Sequence, residues 1–378
     1  MKVCRICGVG LAGPAYHADA PAMSSMSTLI AVATDVFVCL ACGHAQSPDL
    51  PDVQAFYDTE YRISLQSDDH DQLYEVRGGV AVFRTAHQAH LMAELAVPAG
   101  ACVLDFGAAK AATLRAFHAA RPDIQPYVFD VSNDYRSFWS GWVPAAQQAS
   151  YALPDHWAGR FNLITAHFVL EHVADPVGIL GDLARCLAPG GQLFFTVPDP
   201  VGNSGDLLVV DHLNHFTLPS LESALAAAGL QPVAISQTRF RGAHVVLACA
   251  GSTAATSDPG PVVSRVLADL AGWQQALAAI DRVARDGRSA IYGAGFYGTL
   301  IASRLTRPPA CFLDRNPHLQ GQDHLGIPVL PPEACPADIA LVFAGLNPRL
   351  ARAVLGEQAA WLPEAAQVVY PFEAGGPS

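Results

Sequence analysis

Four cysteines near the N-terminus form two pairs, Cys4 and Cys7 in "CRIC" and Cys39 and Cys42 in "CLAC", each followed by a glycine. Two thiolates separated by two residues can grip one ion while the glycine lets the backbone turn behind them. Two such knuckles complete a tetrahedral sulfur site, which suits zinc and leaves no open coordination position. Cys4, Cys7, Cys39 and Cys42 are therefore expected to bind a structural Zn2+. A redox CxxC is the poorer alternative, because no thioredoxin-like βαβ pattern surrounds either pair. A rubredoxin-like iron site is the other. A closed sulfur site carries no chemistry, so the activity must lie elsewhere.

A second candidate is "CVLDFGAAKAATLRAF", Cys102 to Phe117. It reads as an apolar strand ending at Asp105, a close turn at Gly107 and the start of a helix. Cofactor loops of this kind usually carry two or three glycines, and here Ala109 and Ala111 take the places of the second and third. If their φ values are negative, the cost is mainly lost room. If φ is positive, the cost is about 1 kcal/mol or more each. "QPYVFDVS" is a second strand and ends at Asp130, where an acid can accept hydrogen bonds from both ribose hydroxyls of a nucleoside. His167 and Phe168 directly follow the later strand in "RFNLITAHF" and are expected to line the same pocket. His172 is expected on the helix after that strand, where it caps or packs.

The third candidate is "GDLLVVDHLNHFT", with Asp211, His212, Asn214 and His215. It follows the strand that ends at "VPDP", so it is expected at the carboxyl end of the sheet, where open α/β sheets bind ligands. Imidazole titrates near working pH and suits proton abstraction. Asp211 is placed to orient or charge-stabilise the His212 ring. The same histidine also fits a substrate contact or a structural role.

The elements that must position these residues fall into three blocks. Residues 1–75 are cysteine-containing and poor in helix signals. Residues 76–250 alternate strand-like and helix-like segments, and their last two strands, "LQPVAISQTRF" and "GAHVVLACA", are joined by a short turn. "AGSTAATSDPGPVV" reads as a linker, and residues 264–378 form a second alternating block opened by a long helical pattern. A doubly wound sheet closed by an antiparallel hairpin is the class I S-adenosylmethionine (SAM) methyltransferase arrangement. The expected fold is thus α/β, with that domain flanked by an N-terminal zinc-binding domain and a C-terminal Rossmann-like domain.

The C-terminal block holds a rival site. "IYGAGFYG" places Gly293, Gly295 and Gly298 in a G-x-G-x-x-G turn between a strand and a helix, and "ACFLDRN" supplies Asp314 after the next strand. Alone, this is a dinucleotide fingerprint with its ribose acid. Too little chain follows it for a full dehydrogenase, but an NAD-dependent sugar oxidoreductase stays open.

"VLDFG", "FVLEHVADP", "LAPGGQLFFTVPDP" and "DHLNHFT" together resemble SAM-dependent methyltransferases. With the double CxxC start, "FYDTEYRISLQS" and the closing "IYGAGFYG…FLDRNP", nearly the whole chain resembles the three-domain sugar C-methyltransferase family. That resemblance implies a zinc domain, a SAM domain and a C-terminal Rossmann-like domain that does not use NAD. It implies that His212 is the base, that Asp211 stands where the family has a glutamate, and that His215 stands where it has a tyrosine. It also implies that Tyr57 and Tyr61, with Asn214, contact substrate, although Ile63 replaces an aromatic residue expected there. The expected activity is C-methylation of a nucleotide-linked keto-sugar. The alternatives are O- or N-methylation of a sugar or other small molecule, and a non-catalytic binding role for a fold that has lost its cofactor.

Composition sets the outer bounds. A net charge of −12 without a Lys/Arg cluster argues against a nucleic-acid partner. No apolar run is long enough for a membrane span, and "MKVCRICGVG" lacks the apolar core of a signal peptide. A cytoplasmic protein with a small-molecule substrate is expected, its oligomeric state open. The five remaining cysteines, Cys102, Cys186, Cys249, Cys311 and Cys335, read as small core residues.

Overall fold

The architecture comes from a computed structural model that describes residues 2–51, 73–77, 80–284, 287–356 and 359–372. The chain divides into two compact units that do not follow its linear order. The first comprises Met1–Leu11, Cys39–Asn203 and Leu213–Val262; the second comprises Ala12–Val38, Ser204–His212 and Val263–Ser378. The cysteine-containing N-terminal stretch is thus shared between units.

The first unit is built on seven strands: β1 (Cys102–Phe106), β2 (Gln125–Asp130), β3 (Gln148–Ser150), β4 (Phe161–His167), β5 (Leu187–Pro198), β6 (Leu230–Phe240) and β7 (Ala243–Ala250). Their order across the sheet is β3-β2-β1-β4-β5-β7-β6. The first five run parallel, and β7 is antiparallel to both β5 and β6. This is the doubly wound sheet with a terminal antiparallel hairpin that the sequence led one to expect. The central strands read as near-continuous apolar runs because both faces are covered: Val103, Leu104, Leu163 and Ile164 have no exposed surface. Helices α1 (Arg84–Ala93) and α2 (Ala112–Ala120) place Leu91, Met92, Leu114 and Phe117 against Val103, Leu163, Phe194 and Val245. Helices α3 (Pro176–Cys186) and α4 (Leu218–Ala227) complete the unit. The order reverses between β1 and β4, so a crevice for ligand opens at their carboxyl ends. Gly107 and His167 stand there.

In the linker region the predicted helix forms as α5 (Pro259–Val283). The second unit then carries β8 (Ser289–Tyr292), β9 (Phe312–Leu313), β10 (Asp323–His324), β11 (Ile327–Leu330), β12 (Leu341–Ala344) and β13 (Gln367–Val369), with α6 (Phe296–Ala302) and α7 (Pro348–Gly356). Its sheet order is β10-β11-β9-β8-β12-β13, parallel except at β10. Among the described residues no helix is long and apolar enough to cross a membrane.

Candidate active site

The glycine-poor loop keeps the glycine conformation. Gly107 has φ +71°, and a Cβ there would lie 2.5 Å from a Val169 methyl, so conformation and space both demand glycine. Ala109 and Ala111 also have positive φ, 44° and 53°. Of the two outcomes open from sequence, the costly one holds, at about 1–2 kcal/mol per residue. Several contacts offset it. The N–H groups of Gly107 and Ala108 both donate to the Phe129 carbonyl at 2.9 Å. Asp130 accepts the Ala109 N–H at 2.8 Å on one oxygen and the Ser132 N–H at 3.2 Å on the other. The fully buried Trp139 donates its indole N–H to the Ala109 carbonyl at 2.7 Å. The turn is over-determined, so alanine is forced into it.

The two alanines should respond differently to replacement. Ala111 is 1 % exposed and packs in the core beside Leu114, so losing its methyl costs about 0.8 kcal/mol and nearly cancels the relief of strain. Ala109 is only partly buried. Ala109→Gly should raise stability by about 0.5–1 kcal/mol in denaturant unfolding, while Ala111→Gly stays close to neutral.

Around the loop the electrostatics are those of a dry crevice. Burial pushes the Asp105 carboxyl up to about 7, against the Thr165 hydroxyl that donates to it at 2.9 Å and with the charge of Asp130 adding to the rise. Burial also raises Asp130, against its hydrogen bonds from the loop. Each Asp130 oxygen retains a further lone pair, so clamping the loop leaves capacity for hydroxyls. Burial, aided by the charge of Arg84, pushes His167 down to about 3 and keeps it neutral. Its Nδ1 meets the Thr196 hydroxyl at 3.3 Å, and its Nε2 is buried with no partner among the described residues. An orphaned ring nitrogen at the end of β4 is a group that a bound ligand would satisfy. Phe168 adds a left-handed residue, φ 58°, under the Arg84 guanidinium at 3.9 Å. Non-glycine strain of this sort gathers at ligand sites. Sequence patterning gave no sign of it.

The four paired cysteines converge. Cys4 and Cys42 sulfurs are 3.6 Å apart, Cys7 and Cys39 are 3.5 Å apart, and all four lie within 4.8 Å of one another. Tetrahedral zinc–sulfur bonds of about 2.3 Å require sulfur spacings of about 3.8 Å, so the cluster fits the ion. The hydrogen bond between Cys42 and Cys4 pulls the Cys4 thiol down and pushes the Cys42 thiol up, and burial raises Cys7 to about 11.

The knuckles also reach the His-rich segment, which the spacing of the cysteines did not foretell. Strand Ala45–Gln46, just beyond Cys42, pairs antiparallel with Asn214–His215. Arg5, inside the first CxxC, donates to the carbonyls of Ser47 and Leu213, each at 2.7 Å. The Ser47 N–H donates to the same Leu213 carbonyl, and the Thr217 hydroxyl donates to Gly43 O at 3.0 Å. His44, buried and held neutral near 3 chiefly by desolvation, meets the Asn214 side-chain oxygen at 3.3 Å.

The contacts of three expected site residues are as follows. Asn214, expected on substrate, is 1 % exposed, and its amide nitrogen donates to the carbonyls of Leu170 and Val173. It braces the fold. His215, expected in catalysis with His212, has no exposed surface and meets the Ser47 hydroxyl at 3.2 Å. Asp211, expected to orient His212, gives its two oxygens to the backbone N–H and hydroxyl of Ser25, at 2.7 and 2.6 Å. Consecutive side chains in a turn diverge, so adjacency in sequence did not make a pair. His212 instead shares a 2.6 Å hydrogen bond with Asp206 through Nδ1, the two side chains 11 % and 3 % exposed. Asp206 lies in a 3-10 turn, Ser204–Leu208, six residues upstream in "GDLLVVDH". His172 ends a single 3-10 turn, Leu170–His172. Tyr57 and Tyr61 lie outside the described residues.

The second unit repeats the loop design. Gly293 has φ +101°, and a Cβ on Gly298 would lie 1.9 Å from the Gly293 carbonyl. Asp314 accepts the Ala294 N–H at 2.9 Å and the Asn316 N–H at 2.8 Å, as Asp130 accepts those of Ala109 and Ser132. The acid of each second strand thus locks the loop of the first.

Comparison with known proteins bears on the first unit. Residues 82–235 match the model of a family described as "Methyltransferase domain". The chain is similar to the ubiquinone biosynthesis O-methyltransferase of Methylococcus capsulatus, with 40% identity over 58 residues, 15% of this chain and 24% of that protein. It is also similar to the enzyme so named in Erwinia tasmaniensis, with 33% identity over 54 residues, 14% of this chain and 22% of that protein. It therefore spans about a quarter of the length of the curated relatives it matches. The fold is also similar to that of a solved S-adenosylmethionine dependent methyltransferase from Mesorhizobium loti, with 16% identity and a TM-score of 0.35, covering 42% of this chain and 95% of that one.

Proposed function

We propose, from the match of residues 82–235 to a methyltransferase-domain family, that this chain is a SAM-dependent methyltransferase acting on a small molecule. The observation that carries the reading is the loop after β1, which holds the turn of a glycine-rich cofactor loop at the expense of two left-handed alanines. SAM supplies an electrophilic methyl group when bound. Gly107 and Ala109 would let the backbone approach the cofactor, Asp130 would receive ribose hydroxyls, and Asp105, His167 and Phe168 would line the remaining wall.

For the acceptor, we favour carbon next to the keto group of a nucleotide-linked sugar. A carbonyl acidifies the neighbouring C–H, and a base must take that proton before carbon can attack a methyl group. His212 is our base: a buried imidazole hydrogen-bonded to a carboxylate, a pairing that favours the cation formed when the ring accepts a proton. Positioning of the two reactants contributes much of the remaining acceleration. A structural zinc at Cys4, Cys7, Cys39 and Cys42 belongs to the same reading, as does a Rossmann-like role for the C-terminal block in holding the nucleotide-sugar. A cytoplasmic location suits free thiolate ligands.

O-methylation is the second reading, favoured by the names of the two curated relatives. There His212 would take a hydroxyl proton. Incubation of nucleotide keto-sugars in deuterated water without SAM separates the two. Deuterium entering the carbon beside the keto group supports the carbon acceptor. Transfer to oxygen without such exchange supports the second reading.

A further inference from the structure

We infer that Asp206 is the positioning residue of His212, fixing the tautomer of the ring so that Nε2 is its basic nitrogen. This rests on the proposal that His212 is a base. The Asp206 carboxylate and His212 Nδ1 are 2.6 Å apart in surroundings that admit little water. An ionised carboxylate only accepts, so Nδ1 must carry the proton, and the lone pair of the neutral ring then sits on Nε2. When Nε2 takes a proton from substrate the ring becomes a cation, and the same carboxylate stabilises it. The proton moves from the substrate C–H or O–H to Nε2, the bonding electrons stay on substrate, and Asp206 remains ionised throughout.

The surroundings of Asp206 look built for this placement. Its turn is closed by the Val209 N–H on the Asp206 carbonyl. His212 N–H then donates to Val209 O at 3.2 Å, and one winding of backbone carries both partners. Gly205 allows the approach: a Cβ there would stand 2.8 Å from the Tyr297 hydroxyl. The Trp273 indole donates to the Ser204 carbonyl at 3.1 Å and anchors the start of the turn. Tyr297 is itself pushed up to about 12, chiefly by burial, with Asp206 among the charges that raise it. It therefore stays a neutral phenol and puts no second negative charge beside the carboxylate.

Asp211 offers an internal control. It is adjacent to His212 in sequence and carries the same carboxyl group, yet its oxygens hold Ser25. The test compares Asp206→Asn, Asp211→Asn and His212→Ala in the full chain. Turnover is followed with a nucleotide keto-sugar, and histidine ring nitrogens are followed by 15N NMR. An asparagine amide at 206 donates to Nδ1 and forces the proton onto Nε2. Asp206→Asn should lower kcat by roughly 10²–10⁴-fold, with little change in affinity for S-adenosylhomocysteine. The His212 signals should change from an Nδ1–H to an Nε2–H tautomer. Asp206→Glu should recover part of the loss. If His212→Ala abolishes turnover but Asp206→Asn leaves kcat and tautomer unchanged, Asp206 is not the positioning residue while the base reading survives. If His212→Ala leaves turnover intact, the base reading itself falls and takes the role of Asp206 with it.

Discussion

Removing a cysteine of the four-sulfur cluster should loosen the His-rich segment as well as the N-terminus. Purified chain is expected to carry one zinc, and Cys42→Ala should lose it. Structural zinc contributes on the order of 10 kcal/mol to the folding of small metal domains. The elements around the cluster cannot replace that. Ala45–Gln46 and Asn214–His215 form a two-residue ladder, far too short to stand alone. Arg5, Ser47 and Gly43 grip Leu213 and Thr217 from the knuckles themselves. Hydrogen exchange should therefore show lost protection at Leu213–Thr217 in Cys42→Ala, while β1 and β4 retain theirs. A metal-free chain with full protection across that segment would remove the cluster from any structural role.

The second large effect is expected at His212. Replacing it by alanine should reduce turnover by roughly 10²–10⁴-fold, the usual contribution of a general base. Affinity for S-adenosylhomocysteine should be nearly unchanged, since the reading assigns His212 to the acceptor. Calorimetric titration alongside turnover makes the split visible. Equal loss of both would give His212 a cofactor or folding role instead.

The two sites differ in how far sequence alone reveals them. The four-cysteine cluster is legible because its residues sit at fixed local spacing, and spacing is what a tight turn constrains. The sheet is legible because strands and helices alternate until the closing hairpin, an order that admits few topologies. The sign of φ at Ala109 and Ala111 is not local. It depends on Asp130 from β2 and Trp139 beyond it, which hold the turn against the preference of alanine. The partner of His212 was hidden by a more conspicuous one: Asp211 is adjacent, and only the path of the turn shows that Asp206 meets the ring. The clamp on Asn214 was beyond reach as well. His44 lies 170 residues away, and neither residue has a motif that points to the other.

The central claim is that a loop with alanines in glycine places still binds SAM. Calorimetric titration of the purified chain with S-adenosylhomocysteine, with NAD in a parallel cell, tests it most directly. The account predicts micromolar binding of the first and none of the second, with Asp130→Ala weakening the binding. Absence of S-adenosylhomocysteine binding to a folded chain would contradict it, and binding of NAD would move the active site to Gly293, Gly295, Gly298 and Asp314.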